Sequence, residues 1–306
     1  MLAIDPHLAL PAPLATGINA STAHALALVF ASSYVGSLYV SQAFFARRDA
    51  AAAAEGRAEP SEYPLGHRDH PTTMRRRMAA VKAVTRLSLA GVWATVARVG
   101  AYSARDSVRP TLALLGLSNL ALNRPLAYLL APILFTGPLY EAYLDAELPG
   151  QANWKWQFGL VEKRNYVVGP VSEELLFRSA ILAVSLLGHL PASYLVFGSP
   201  LWFGVAHVHH AFQTYRASQR TRRDALIAAV RCVFQFGYTT LFGWFASFVY
   251  LRTGSVFPAI ASHIFCNIMG LPAPSASIAE HPQKKKSIIA AYLVGIAGFI
   301  YGIRRL

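Results

Sequence analysis

The chain has 306 residues, of which 54% are hydrophobic and 14% are charged, and its mean hydropathy is +0.36. A soluble protein of this size would have a far more polar surface, so the composition predicts a polytopic helical membrane protein. The formal net charge is +13. No basic segment is interleaved with aromatic residues on a soluble module, so this charge does not indicate nucleic-acid binding.

Apolar segments recur along the whole chain. In chain order the candidate spans are 22–45, 78–103, 109–122, 125–144, 166–189, 193–212, 225–251, 254–272 and 287–303. The segments 109–122 and 254–272 fall near or below the ~20 residues that a straight span needs, so some spans should be tilted, re-entrant or buried. The predicted fold is therefore all-α, a polytopic bundle of about eight transmembrane helices that enclose an intramembrane catalytic cavity.

One membrane domain is predicted to cover residues 1–306, because no repeat and no change of composition separates a second domain. Residues 1–145 supply anchoring helices and contain the polar loop 46–77, which has no apolar period. Residues 160–272 should form the catalytic core, since this part contains few acids but several histidines. Residues 287–303 complete the prediction as a C-terminal helix.

Clusters of arginine predict which loops face the cytosol. They lie in the loops 46–77 and 213–224 and consist of Arg75-Arg76-Arg77 and of Arg216, Arg220, Arg222 and Arg223. By the positive-inside rule both loops should be cytosolic, with anionic lipid headgroups as counter-ions. The two cysteines, Cys232 and Cys266, lie inside apolar segments, so we predict buried thiols and no disulfide framework.

Two adjacent glutamates, Glu173 and Glu174, lie in an otherwise apolar segment. A charged side chain near the bilayer centre costs at least ~2.5 to 3.5 kcal/mol, so such residues mark functional sites by default. Arg178 follows Glu174 by four residues and shares its helical face, which predicts a structural ion pair. Glu173 is rotated by roughly 100° from that pair and has no local partner. It is therefore the candidate general base.

Two further apolar helices each have one polar face. Phe203 and His207 are one helical turn apart, and so are His263 and Asn267. Added to Glu173, these side chains form a set suited to activating water and stabilising an oxyanion in a low-dielectric cavity. That is the inventory of an amide hydrolase, although the His-Glu-x-x-His and Gly-x-Ser-x-Gly motifs of soluble hydrolases are missing.

In this order, and each on an apolar helix, the three motifs resemble those of the type II CAAX prenyl endopeptidases. These form the Ras-converting branch of the CAAX protease and bacteriocin-processing family of intramembrane proteases. The residues that flank the three motifs look like those of the eukaryotic branch. With these flanks the resemblance covers roughly residues 160–272. They comprise Arg164-Asn165, the run from Phe203 to His210, Phe234-Gln235-Phe236, Arg252-Thr253-Gly254 and Met269-Gly270-Leu271-Pro272.

The resemblance implies a multi-pass protease of the endoplasmic reticulum membrane whose active site is accessible from the cytosol. Its substrates would be prenylated CAAX proteins such as Ras-like small GTPases, and it would remove the three residues after the prenylcysteine. Carried over to this chain, Glu173 would activate the water with help from His207, while His263 and Asn267 would hold the oxyanion. No cofactor is implied. Supporting roles fall to Glu174, Arg178 and Phe203.

Two alternatives stay open at this point. Glu173, His207 and His263 could instead be the ligands of a catalytic zinc ion, since two histidines and a carboxylate form a recurrent three-ligand set. Residual activity after metal removal separates the two mechanisms. The second alternative is a non-catalytic scaffold or transporter, whose buried polar residues hold helices together or line a pathway. The intact set of motifs argues against it.

Overall fold

The computed structural model describes residues 4–56, 59–155, 157–208, 215 and 218–306. Over these residues the protein is all-helical, with 74% helix and no strand. The predicted all-α class is therefore confirmed. His209, His210 and Arg216, which the sequence analysis considered, lie outside the described residues.

The helices of the described chain differ widely in length. In chain order they are α1 (Ala20–Ala54), α2 (Pro71–Val99), α3 (Val108–Leu114), α4 (Pro125–Leu134), α5 (Thr136–Leu144), α6 (Leu160–Glu162), α7 (Gly169–Glu174), α8 (Ile181–Leu187), α9 (Pro200–His207), α10 (Arg222–Thr253), α11 (Phe257–Met269), α12 (Pro274–Glu280) and α13 (Lys285–Arg305). Wider π-helical turns occupy Lys163–Val168, Leu175–Ala180 and Tyr194–Gly198. Two of these turns join α6, α7 and α8, so residues 160–187 form one continuous helical stretch.

The chain forms two compact units. The first contains Met1–Asn119 and Val171–Val256, and the second contains Leu120–Pro170 and Phe257–Leu306. The stretch 160–187 passes from the second unit into the first, so that Glu173 and Glu174 belong to the first. That one membrane domain covers the whole chain stays a prediction.

Three helices of the described part are long and apolar enough to cross a membrane, namely Ala20–Ala54, Arg222–Thr253 and Pro282–Arg305. Two shorter apolar helices are Pro125–Leu134 and Phe257–Met269. The expected number of about eight spans is therefore not confirmed.

Proline explains one of the interrupted spans. The span predicted at 125–144 divides at Phe135 into α4 and α5. Pro138, one turn further on, has no N–H to donate to the carbonyl of Leu134, and its ring clashes with that carbonyl. Hydropathy does not reveal such a break, because both halves are apolar on average.

Helix α8 forms the centre of the first unit, since all seven of its residues are buried. Helix α1 packs against α8, α2 and α9. Asn19 precedes its first residue and caps the helix, since the Asn19 side chain accepts a hydrogen bond from the Thr22 N–H at 2.7 Å. Its buried residues repeat at helical spacing along one face, and they are Ala23, Ala27, Phe30, Ala31 and Tyr34.

The polar loop predicted at 46–77 is shorter than expected. Helix α1 continues to Ala54 and α2 begins at Pro71, so the two long helices extend into the predicted loop from both sides. Contacts between polar side chains hold these extensions together. One ion pair, Arg76 with Asp49, joins the two extensions, and a second, Arg75 with Glu59, links α2 to the loop between the helices.

The N-terminal segment closes the opposite end of the first unit. The Asp5 N–H donates to the carbonyl of Leu251 at 2.8 Å, and the Ile18 N–H donates to the carbonyl of Leu187 at 2.9 Å. Helix α10 ends at Thr253 and is followed by Gly254, which adopts a left-handed conformation with φ of 61°. A Cβ atom there would lie 2.9 Å from Oδ1 of Asp5, so the close approach of the segment requires glycine.

In the second unit, α13 packs against both α4 and α5. A Cβ atom on Gly295 would lie 2.9 Å from the carbonyl oxygen of Ile133, so only glycine allows this approach. Helix α11 packs against α4 and against the π-helical turn Lys163–Val168. The rings of Phe135 and Phe265 meet edge to face at 5.6 Å. These contacts fix α11, which contains one of the predicted motifs.

Candidate active site

Glu173 and Glu174 are the last residues of α7, and the π-helical turn Leu175–Ala180 follows directly. In a π-helical turn the backbone hydrogen bonds join residues five apart instead of four, which inserts one residue into the helix. Such turns are frequent at functional sites. The backbone irregularity and the two carboxylates thus coincide.

The ion pair predicted between Glu174 and Arg178 is present. Nε of Arg178 lies 3.2 Å from Oε2 of Glu174, and the two side chains are 1% and 0% exposed. A buried guanidinium without an anion would be strongly unfavourable, so the carboxylate of Glu174 neutralises Arg178 inside the first unit. Glu174 is therefore engaged in structure.

Aromatic rings enclose the guanidinium of Arg178. Its Cζ atom lies 4.3 Å from the ring centroid of Phe203 and 5.6 Å from that of Phe242. Both distances allow a cation–π attraction. A Cβ atom on Gly243 would lie 3.3 Å from Nη2, so the glycine leaves room for the arginine. Phe242 and Gly243 belong to α10, which the motif analysis did not include in the site.

Phe203 connects this ion pair to His207. The rings of Phe203 and His207 lie 4.5 Å apart in an edge-to-face arrangement. The other neighbour of Phe203 is Phe177, at 5.1 Å. The ring of Phe203 thus contacts both the guanidinium of Arg178 and the ring of His207, while its supporting role stays a prediction.

The ring of His207 is held in one tautomer by its own helix. Its Nδ1 atom lies 2.7 Å from the carbonyl oxygen of Phe203. A carbonyl oxygen only accepts hydrogen bonds, so Nδ1 is the donor and the neutral ring has its lone pair on Nε2. His207 is therefore set up to accept a hydrogen bond through Nε2.

Glu173 has a partner that the sequence analysis did not find. The residue is half-buried, and its carboxylate interacts with the hydroxyl of Tyr34 from α1. The same hydroxyl lies 2.9 Å from Oγ of Ser172. Residue spacing in the sequence indicates only neighbours on the same helix, so it could not point to Tyr34 on α1. No local pattern distinguishes Tyr34 from the other aromatic residues of its helix.

His263 and Asn267 lie one turn apart on α11 in the second unit. His263 is buried, whereas Asn267 is exposed. The Nδ2 atom of Asn267 donates to the carbonyl oxygen of Asn165 at 2.8 Å. This bond uses one of the two amide hydrogens and orients the carboxamide, so the second hydrogen points in a fixed direction.

The structure thus distributes the predicted site residues over the two units. Those in the first unit are Glu173, Glu174, Arg178, Phe203 and His207. His263 and Asn267 lie in the second. The catalytic roles predicted for Glu173, His207, His263 and Asn267 stay predictions.

Among the described residues, one group of side chains could hold a metal ion. It consists of Asp145, Glu280 and His281 in the second unit, whose ligand atoms all lie within 4.8 Å of one another. Nε2 of His281 already pairs with Oδ1 of Asp145 at 2.6 Å. Glu280 is exposed, and the contact between Asp145 and His281 forms without a metal ion. The group is therefore explained as a polar contact that links the end of α5 to the end of α12.

Comparison with known proteins agrees with the resemblance. A family profile described as "Type II CAAX prenyl endopeptidase Rce1-like" matches residues 155–269. "CAAX prenyl protease 2" of Homo sapiens is 34% identical over 292 residues, which cover 89% of this chain and 77% of that protein. The Rattus norvegicus protein of the same name is 31% identical over 289 residues, covering 88% and 75%.

A third relative, "Probable CAAX prenyl protease 2" of Schizosaccharomyces pombe, is 35% identical over 167 residues, covering 51% of this chain and 57% of that protein. No solved structure matches the chain. The matches to the human and rat proteins cover 89% and 88% of this chain, so they extend well beyond the segment 155–269. The chain therefore belongs to the family of type II CAAX prenyl endopeptidases.

Proposed function

We propose that this protein is an intramembrane endopeptidase that removes the C-terminal tripeptide from prenylated CAAX proteins, cutting after the prenylcysteine. The observation that carries the proposal is the different engagement of two adjacent glutamates. Glu174 is fully buried and paired with Arg178, whereas Glu173 is half-buried beside a tyrosine hydroxyl. One carboxylate thus serves structure, and the other remains for chemistry.

In the proposed mechanism Glu173 acts as general base. It accepts a proton from a water molecule while the water oxygen attacks the carbonyl carbon of the prenylcysteine. Nε2 of His207 orients the same water, in keeping with the tautomer set by the Phe203 carbonyl. The protonated Glu173 then passes its proton to the amine of the leaving tripeptide, so that the peptide C–N bond breaks.

His263 and Asn267 are proposed to stabilise the oxyanion that forms when water attacks. Both groups can donate hydrogen bonds, and the carboxamide of Asn267 is already oriented by its bond to Asn165. Preorganised donors of this kind cost no reorganisation during the reaction, and removal of one typically lowers kcat by about 10²–10³-fold.

The mechanism uses no metal ion. The alternative set of zinc ligands, Glu173, His207 and His263, is separated from it by a measurement on the purified protein. Activity should persist after exhaustive dialysis against a zinc chelator, with metal content measured by mass spectrometry. Loss of activity that returns with added zinc would replace the glutamate mechanism by the metal mechanism.

The substrate is proposed to be presented at the cytosolic side of the endoplasmic reticulum membrane, with Ras-like small GTPases as one class. In the first unit α9 ends at His207, the chain between α9 and α10 contains Arg220, and α10 begins with Arg222 and Arg223. The positive-inside rule assigns such a loop to the cytosol. The end of α9 that contains His207 therefore faces the compartment in which the CAAX tail resides.

The test is a cleavage assay with a peptide that ends in a farnesylated cysteine and three further residues. An identical peptide without the lipid is the control. Burying the lipid contributes on the order of 0.8 kcal/mol per methylene-sized group, so release of the tripeptide should require the farnesyl chain. Equal cleavage of both peptides, or of neither, would overturn the proposal.

A further inference from the structure

Tyr34 of α1 lies beside the residues of the proposed chemistry. Its side chain is 7% exposed, and its hydroxyl lies 2.9 Å from Oγ of Ser172, the residue directly before Glu173. Its ring packs edge to face on Phe177 with centroids 5.9 Å apart. The hydroxyl thus sits beside the start of the glutamate pair, and the ring holds it there.

A buried hydroxyl without a hydrogen bond costs about 1–3 kcal/mol, so its partners are not incidental. The hydroxyl of Tyr34 avoids this cost because it forms hydrogen bonds with Ser172 and with the carboxylate of Glu173. The carboxylate accepts hydrogen bonds only, so the tyrosine donates to it. A phenol donor beside a carboxylate restricts the directions in which the carboxylate can point.

We propose that Tyr34 is a positioning residue for Glu173, whose hydroxyl holds the carboxylate in the direction required to take a proton from water. The inference rests on the proposed function and deepens it. It also assigns a role in the site to α1, which lies outside the segment 155–269 matched by the family profile. The anchoring helices predicted for the N-terminal part would then contribute to activity as well as to stability.

The test compares Tyr34→Phe with Tyr250→Phe. Tyr250 provides a matched control, because its hydroxyl is buried in the same unit and donates to the carbonyl of Leu114, away from the glutamates. Both variants lose one buried hydroxyl and keep the ring. We expect kcat for the farnesylated peptide to fall about 10- to 100-fold in Tyr34→Phe, with KM changed less than about twofold, because misplacement of a catalytic group lowers the rate of the chemical step.

Tyr250→Phe should lower the apparent melting temperature while kcat per folded molecule stays at the wild-type value. A wild-type kcat in Tyr34→Phe, or a loss that merely follows the folded fraction, would overturn the inference. Glu173→Asp provides a further criterion. If Tyr34 acts through the carboxylate, combining Tyr34→Phe with Glu173→Asp should lower kcat by less than the product of the two single effects. Full additivity would also contradict the inference.

Glu173→Gln separates failure of the inference from failure of the proposed function. If Glu173→Gln retains turnover, the proposed general base is wrong, and Tyr34 has no carboxylate to position. If Glu173→Gln is inactive and Tyr34→Phe is fully active, only the role of Tyr34 is wrong.

Discussion

Replacing Glu174 by glutamine should test the division of roles between the two glutamates. The change keeps the shape of the side chain and removes its charge, which leaves the guanidinium of Arg178 buried without an anion. Breaking a buried ion pair by removing one partner costs about 3–5 kcal/mol. The rings of Phe203 and Phe242, at 4.3 and 5.6 Å from the guanidinium, persist in the variant. Because they continue to attract the cation, we expect the lower end of that range, about 3 kcal/mol.

The matched control is Glu173→Gln, the same chemical change one residue earlier. Glu173 is half-buried and outside the ion pair, so its replacement should change the free energy of unfolding by less than about 1 kcal/mol. Cleavage of the farnesylated peptide should nevertheless be abolished. Glu174→Gln is thus expected to lose mainly stability, whereas Glu173→Gln is expected to lose only activity.

The assay is thermal unfolding of the detergent-purified protein, followed by circular dichroism, together with cleavage per folded molecule. A double variant, Glu174→Gln with Arg178→Met, should recover most of the lost stability, since it removes both charges. The reasoning would be refuted if Glu174→Gln unfolded at the wild-type temperature, or if the double variant were less stable than Glu174→Gln alone.

Three further outcomes are expected. His207→Ala and His263→Ala should each lower kcat by at least about 100-fold, while a variant without cysteines stays active; a folded but inactive cysteine-free variant would point to a thiol nucleophile. In that cysteine-free background, Ser218→Cys should react with an impermeant thiol reagent in sealed right-side-out microsomes, and labelling only after permeabilisation would place this loop in the lumen. Hydrogen bonds from Arg75 and Thr72 hold the pKa of Glu59 below its usual value. The contribution of Glu59 to the stability of the folded state is therefore present above the ordinary glutamate pKa and is lost as the pH falls through the lowered pKa of the folded protein. Amide exchange around Glu59 should accordingly accelerate on acidification in the wild type but not in Glu59→Gln, and the same acceleration in both would exclude the ion pair as its cause.

Contacts between residues four apart in sequence were predictable. The pairing of Glu174 with Arg178 and the proximity of Phe203 to His207 follow from helical periodicity alone, and both are present. Such predictions need no knowledge of how helices pack. They are reliable because the helix itself brings the two side chains together.

Contacts between distant segments could not be predicted in this way. Tyr34 reaches Glu173, and Phe242 reaches Arg178, only because separate helices pack side by side. Hydropathy also failed to locate the break at Phe135, since it measures compatibility with lipid and contains no term for backbone hydrogen bonding. The order of motifs indicates which residues matter, but the partners of those residues depend on tertiary structure.

The position of the ion pair on a single helix has a consequence for how the chain enters the membrane. Glu174 and Arg178 are neighbours as soon as their helix forms, before α9 and α10 have been synthesised. In the proposed intramembrane site the arginine would therefore enter the bilayer as half of a neutral pair, which would reduce the cost of about 2.5–3.5 kcal/mol that an isolated arginine meets at the bilayer centre. Phe203 on α9 and Phe242 on α10 are synthesised later, and their rings then contact the guanidinium. Biogenesis would thus neutralise the charge first and enclose it afterwards, in the order in which the ribosome produces the helices.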